Sequence, residues 1–310
     1  MKLIDLHCDT LYKSFTENLP LDDSKMENIL LNNVNKIQCF AVWCPDYLSG
    51  GQAERLFLSA AAKLKRECER LSINSINSFN NIKNDFINHK NNAILTLENA
   101  TAFNEKIENV QKFAGLGLKM VTLTWNESNF IGAGVKSKNN DGITQLGKKF
   151  VKEIEKNGII IDISHAGDSL FYDVEEITAE PFVASHSNSR SVCSNKRNLT
   201  DEQFKIIADR HGIVGLNFHN EFLSDDCQNA CATDILKHAE HFLSLGGEDT
   251  VCIGSDFDGC TLPKDIKGSR SMDYIYELFL KHNYKETLVK KIFYKNALNF
   301  FENFDNQKNL

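Results

Sequence analysis

The chain has 310 residues, 42% apolar and 25% charged, with 42 acidic against 35 basic side chains and a formal net charge of −7. That length suits one α/β barrel, and the balance is that of a soluble globular protein able to bury a large core. It excludes a nucleic-acid footprint, which needs a basic stripe or an arginine-rich block.

Apolar or β-branched runs alternate with longer amphipathic stretches along the whole chain. The first run, 2–6, leads into Asp5-Leu6-His7-Cys8-Asp9. Residues two apart on an extended chain point the same way, so His7 and Asp9 share a face and Cys8 points to the other. A second run at 37–43 precedes a helix expected at 52–79. The third run, 93–97, ends on Glu98, and a helix follows at 105–114. The fourth, 119–124, ends in Thr122-Leu123-Thr124-Trp125-Asn126, ahead of a helix at 144–156.

The fifth run, 159–163, reaches His165, with a helix at 167–178; the sixth, 182–185, reaches His186. Thr200-Asp201-Glu202-Gln203 has the form of a capping box and opens a helix at 201–210. The seventh run, 213–218, precedes a helix at 232–245, and the eighth, 251–254, leads to Asp256. Helical pieces fill 271–301, and Gly158, Gly212 and Gly246-Gly247 stand where left-handed helix stops are expected.

Eight apolar strands with helices between them predict a closed parallel (β/α)8 TIM-type barrel in a single domain, 1–310, with a doubly wound open sheet as the alternative. Chemistry in such a barrel lies at the C-terminal ends of the strands. Five of the eight predicted strand ends carry His, Asp or Glu: His7 and Asp9, Glu98, His165, His186 and Asp256. A lone strand-end His is usually a satisfied loop residue, but three histidines and three carboxylates on one rim predict a metal centre. Imidazole and carboxylate donors without thiolate suit zinc, with manganese or cobalt as alternatives. The remaining histidines read differently: His89, His238, His241 and His282 as surface groups, His211 as a helix C-terminal cation, and His219 as a loop residue near the rim.

Nine cysteines without a CxxC pair predict reduced thiols. The start, Met1-Lys2-Leu3-Ile4-Asp5, forms no signal-peptide core, no run approaches a membrane span, and the tail 301–310 is polar. A cytoplasmic protein without membrane attachment is the expectation.

The set His7-Cys8-Asp9, Glu98, His165, Ser185-His186-Ser187, Arg197-Asn198 and Gly254-Ser255-Asp256-Phe257-Asp258-Gly259 resembles the membrane dipeptidase (renal dipeptidase) family, with order and spacing matching from residue 3 to Tyr294-Lys295-Asn296. The resemblance implies an amidohydrolase-like barrel with two zinc ions. His7 and Asp9 hold one, His165 and His186 the other, and Glu98 bridges them. It implies Asp256 as the acid/base, with Asp258 a weaker claimant, and Arg197 as the receiver of the substrate carboxylate. The implied activity is hydrolysis of dipeptides with a free C-terminal carboxylate by a metal-bridging hydroxide. The partner is then a small dipeptide, and a homodimer is left open.

One position departs from the family. Where many members carry a histidine after Thr-Leu-Thr, this chain has Trp125, which donates a hydrogen bond but transfers no proton. Either its indole N–H or Asn126 replaces the missing group at the substrate, or the substrate differs, or Trp125 only packs beneath the mouth. Two alternatives to the dipeptidase remain: another amide or ester hydrolase on this scaffold, and a binding protein that keeps the metals without turnover.

Overall fold

The apolar runs become strands, and all of their pairings are parallel. In the computed structural model, which describes residues 1–28, 34–89 and 91–306, β1 spans Lys2–Cys8, β2 Asn35–Trp43, β3 Asn74–Ser75 and β4 Asn91–Glu98. β5 spans Leu118–Thr122, β6 Ile160–Asp162, β7 Val214–Leu216 and β8 Val251–Ile253. Residues 307–310 of the polar tail lie outside the described residues.

The sheet runs β6-β5-β4-β2-β1-β8-β7, with the two-residue β3 added beside β4. The run at 182–185 does not form the expected continuous strand. Single parallel bridges instead join Val183 to Asp162 and Ala184 to Val214, closing the ring between β6 and β7. The ladder breaks there because the Ser185 N–H donates to the Asp162 carboxylate at 2.9 Å. Glycines let this segment sit close: a Cβ at Gly215 or Gly254 would lie 2.0 or 1.9 Å from the Ser185 carbonyl oxygen. The architecture is thus the expected (β/α)8 type, with one stave reduced to bridges.

The helix expected at 52–79 spans only Gly50–Leu71, because Ser72 turns left-handed (φ 54°) and Asn74–Ser75 joins the sheet. Thr200 caps helix Asp201–Asp209 as anticipated: its hydroxyl accepts from the Gln203 N–H, and Gln203 Oε1 accepts from the Thr200 N–H. Gly158 and Gly246 adopt the left-handed conformation expected of helix stops, whereas before Gly212 it is His211 that does so.

The N-terminal halves of the strands fill the barrel with Ile4, Ile37, Ile94, Ile160 and Cys252, and Phe300, Phe301 and Phe304 of helix Asn296–Asn306 pack into the same cluster. This plug leaves the opposite rim free for polar residues. On β4 the alternation is plain: Ala93, Leu95 and Leu97 join the outer core, so Thr96 and Glu98 share the other face with Ile94. No helix among the described residues is long and apolar enough to cross a membrane, and all nine cysteines are free.

His238, expected at the surface, is fully buried. Its Nδ1 accepts from the Ser189 N–H at 3.1 Å, and its Nε2 pairs with the Leu223 carbonyl at 3.0 Å, so the ring ties two rim loops together. Helical spacing hid this because both partners are backbone groups distant in sequence. His89, His211 and His282 are exposed, and His241 pairs with Asp201 at 2.8 Å.

Candidate metal centre

The six rim residues converge at the C-terminal mouth, all buried. β1 changes register between Asp5 and Cys8, and His7 Nε2 lies 3.7 Å from Asp9 Oδ2. The Cys8 thiol turns away toward the Cys39 carbonyl at 3.5 Å, so it does not join the set. His165 and Asp256 follow their strands in the left-handed region (φ 68° and 64°), a strained conformation for non-glycine residues that clusters at functional sites.

Glu98 faces two ways. Its Oε2 lies 3.6 Å from His7 Nε2, while its Oε1 lies 3.0 Å from His165 Nε2 and 3.8 Å from His186 Nε2. Among the described residues, two sets of donors that could hold a metal lie within 4.8 Å, His7 with Glu98 and His186, and His7 with Asp9 and Asp256. His7 stands in both, stacked on His186 with centroids 3.8 Å apart.

Hydrogen bonding behind the imidazoles fixes their tautomers. Ser185 Oγ donates its single proton to Asp162 Oδ2 at 2.6 Å, so the 2.7 Å contact with His186 requires His186 Nδ1–H as donor. Asn126 Oδ1 accepts from His165 Nδ1 at 3.2 Å. Both Nε2 atoms therefore present lone pairs, and they face each other at 3.1 Å beside the Glu98 carboxylate. Two acceptors at that distance suit a shared cation. His7 Nε2 and Asp9 Oδ1 are likewise buried without a hydrogen-bond partner. The donor set fits divalent metals, and the bonds behind it supply the orientation such ligands need.

Electrostatics agree. Burial pushes Asp9 up to about 6, with Glu98 adding to the shift. Burial also pushes Asp256 up to about 7, reinforced by Asp9 and Glu98 and opposed by His7. Burial, aided by Arg197, lowers His165 to about 4, and burial lowers His186 as well. His7 is raised despite burial, by Glu98 and Asp9, and Glu98 is held down despite burial, chiefly by His7. Crowded carboxylates beside neutral imidazoles are a field that positive charge relieves.

The centre floors a cleft of about 790 Å³. Arg197 lines it, fully enclosed: its terminal nitrogens donate to Ser187 Oγ (3.0 Å) and the His186 carbonyl (3.2 Å), and its Nε has no partner. Trp125 lines the cleft half-buried, its ring centroid 6.1 Å from that of His165. Asn126 also lines it, but its carbonyl oxygen is engaged by His165. Asp258 is turned from the metal-ligand set, taking Thr10 Oγ1 at 2.6 Å and Lys13 Nζ at 2.9 Å. His219 reaches the cleft wall.

Three supporting residues escaped the sequence reading. Asn217 donates to Asp256 Oδ2 at 3.0 Å and lies just past β7, where the strand-end rule could have found it. Asp5 accepts from Ser255 Oγ at 2.6 Å and Asp162 from Ser185, and the signal for both is a carboxylate inside an apolar strand.

Comparison with known proteins matches residues 1–310 to the model of the family described as membrane dipeptidase, peptidase family M19. An uncharacterized protein in the pqqA 5′ region of Klebsiella pneumoniae is 31% identical over 216 residues, 67% of this chain and 80% of that one. Among solved structures, the dipeptidase AC, a metallo peptidase of family M19, is 26% identical with a TM-score of 0.89, covering 97% of this chain and 98% of its own. A metallo peptidase from Rhodobacter sphaeroides, solved with a phosphinate mimic of L-Ala-D-Ala, has 24% identity and a TM-score of 0.89 over 97% of this chain and 99% of its own, and so supports the fold.

Proposed function

The chain belongs to the membrane dipeptidase family of peptidases, and from that premise we propose that it is a binuclear zinc dipeptidase, one hydrolase domain over 1–310, acting on dipeptides with a free C-terminal carboxylate. The observation that carries this reading is the split of Glu98, whose two oxygens address His7 on one side and His165 with His186 on the other. His7 and Asp9 would hold one ion, His165 and His186 the other, with Glu98 between them. Manganese or cobalt suits the same donors. When bound, the metal pair supplies Lewis acidity at the scissile carbonyl and acidifies water.

The chain's own residues perform the remaining work. Arg197 receives the substrate carboxylate; it lines the cleft, and its terminal nitrogens are braced by Ser187 and the His186 carbonyl, so the guanidinium is held ready. Asp256 takes the proton from the attacking water and returns it to the leaving amine. Its carboxylate lines the cleft beside the ligand set, within reach of a proton moved between the attacking water and the leaving amine. Asn217 fixes Asp256 Oδ2, leaving Oδ1 toward His7 at 3.9 Å. Asn126 orients His165 through Oδ1 and, lining the cleft, keeps its amide as a candidate donor to the substrate in place of the family histidine.

The test is metal analysis of the purified protein together with a dipeptide panel, assayed with and without chelator. Two equivalents of zinc, loss of hydrolysis on chelation and recovery on zinc addition are expected. Full hydrolysis by metal-free protein, or metal binding without turnover of any dipeptide, sinks the reading.

A further inference from the structure

The cleft has an aromatic wall that the proposed chemistry does not use. Tyr12 packs edge-on against Trp43 with centroids 4.9 Å apart and planes at 70°, and Trp43 against Trp125 at 4.9 Å and 61°. All three line the cleft, and all are only partly buried, so their rings remain open to it. Tyr12 lies on helix Thr10–Thr16 just after β1, Trp43 ends β2 and Trp125 follows β5, and these strands with β4 form consecutive staves of the ring.

Arg197 follows the bridged segment between β6 and β7, across the mouth from this wall. A dipeptide whose carboxylate sits on Arg197, and whose peptide bond lies over the centre, must direct its N-terminal residue toward the wall. Trp125 ends that wall beside His165, so the first side chain meets an indole next to the reacting carbonyl.

We propose that Tyr12, Trp43 and Trp125 form the subsite for the residue N-terminal to the scissile bond and select an aromatic or large apolar side chain there. The proposal rests on the dipeptidase reading and deepens it. Edge-packed rings cannot close onto a small side chain, so a glycine leaves their faces without a partner, whereas an aromatic side chain stacks on them. The indole at 125 thus sets substrate choice, with no part in proton transfer.

The chain contains two tryptophans, and both stand in this wall, so intrinsic tryptophan emission reports on this subsite alone. Two measurements test the proposal on the zinc-loaded enzyme. Steady-state kinetics across an X-Ala series, with Gly, Ala, Leu, Phe, Asp and Lys at X in both stereochemistries, should give kcat/KM at least about tenfold higher for Phe and Leu than for Gly. In Trp125→Ala and Trp125→His the Phe-to-Gly ratio should fall toward one. Separately, a reduced-bond analogue of Phe-Ala, which is not hydrolysed, should perturb emission at roughly tenfold lower concentration than the Gly-Ala analogue.

Equal kcat/KM for Phe-Ala and Gly-Ala, with both hydrolysed, overturns the subsite and leaves the dipeptidase intact. Failure to hydrolyse any dipeptide overturns the dipeptidase, and with it the subsite. Emission unchanged by the Phe-Ala analogue also overturns the subsite, whatever the variants' folding.

Discussion

Ser185 Oγ stands 2.7 Å from His186 Nδ1 while giving its own proton to Asp162 at 2.6 Å, and this relay decides which nitrogen of His186 points into the centre. The relay also explains why a serine precedes the histidine in Ser185-His186. A side chain without a hydroxyl leaves the ring free to turn or to change tautomer.

Ser185→Ala should therefore weaken metal binding by roughly 10- to 100-fold, the range seen when a supporting group behind a ligand is removed. Competition with a calibrated chelator measures it. Unchanged affinity in a folded variant would show that the relay does not orient His186.

Arg197→Ala should raise KM by roughly 10- to 100-fold with a smaller change in kcat, as expected when a charge-assisted contact to the ground state is lost. Arg197→Lys should recover only part of it, since the lysine keeps the charge and loses the fork. A loss confined to kcat would place Arg197 at the reacting atoms instead.

Asp256→Asn keeps the size of the side chain and removes the proton acceptor. It should lower kcat by roughly 100- to 10,000-fold at saturating metal, with KM little affected. Steady-state kinetics on one good dipeptide suffice, and near-normal kcat would transfer the proton step to another group.

His238 offers a test of stability against pH that is separate from the metals. Burial lowers its pKa to about 4, against about 6.5 in the unfolded chain. The ring is neutral in the fold, with Nδ1 accepting from Ser189 N–H and Nε2 engaged with Leu223 O. Between those pKa values the unfolded state binds the extra proton, so the contribution is complete above about pH 6.5 and is lost as pH falls to about 4. The wild type should lose roughly 3 kcal/mol more than His238→Gln across that window. Urea unfolding at pH 7 and pH 4 measures the difference, and parallel losses in both proteins would refute it.

Much of the barrel was legible because buried parallel strands are apolar on both faces, a signal that survives in one sequence. Glu98 and His165 were legible for a related reason: a polar group ending an apolar run has few structural uses. The helix stop at Ser72 was not legible, since a serine in the left-handed region carries no local signal. Nor was the broken stave at 182–185, which looks like any strand until Asp162 captures the Ser185 N–H. The burial of His238 and the support of Asn217 depend on partners 49 and 39 residues away, beyond any periodicity.

The broken stave has a mechanical consequence. The barrel is knitted by longer ladders from β1 through β2, β4 and β5 to β6, whereas β1 meets β8 at one paired residue and one bridge, and at the seam between β6 and β7 single bridges hold the segment leading to His186. Glu98 and His165 lie on one side of that seam and His186 on it, so on the reading proposed here the same ions that serve chemistry also fasten the ring. Stripping them should loosen the seam before anything else, with amides of 183–187 exchanging first and the melting temperature falling as metal is withdrawn. Keeping the barrel shut and keeping it competent then become a single event.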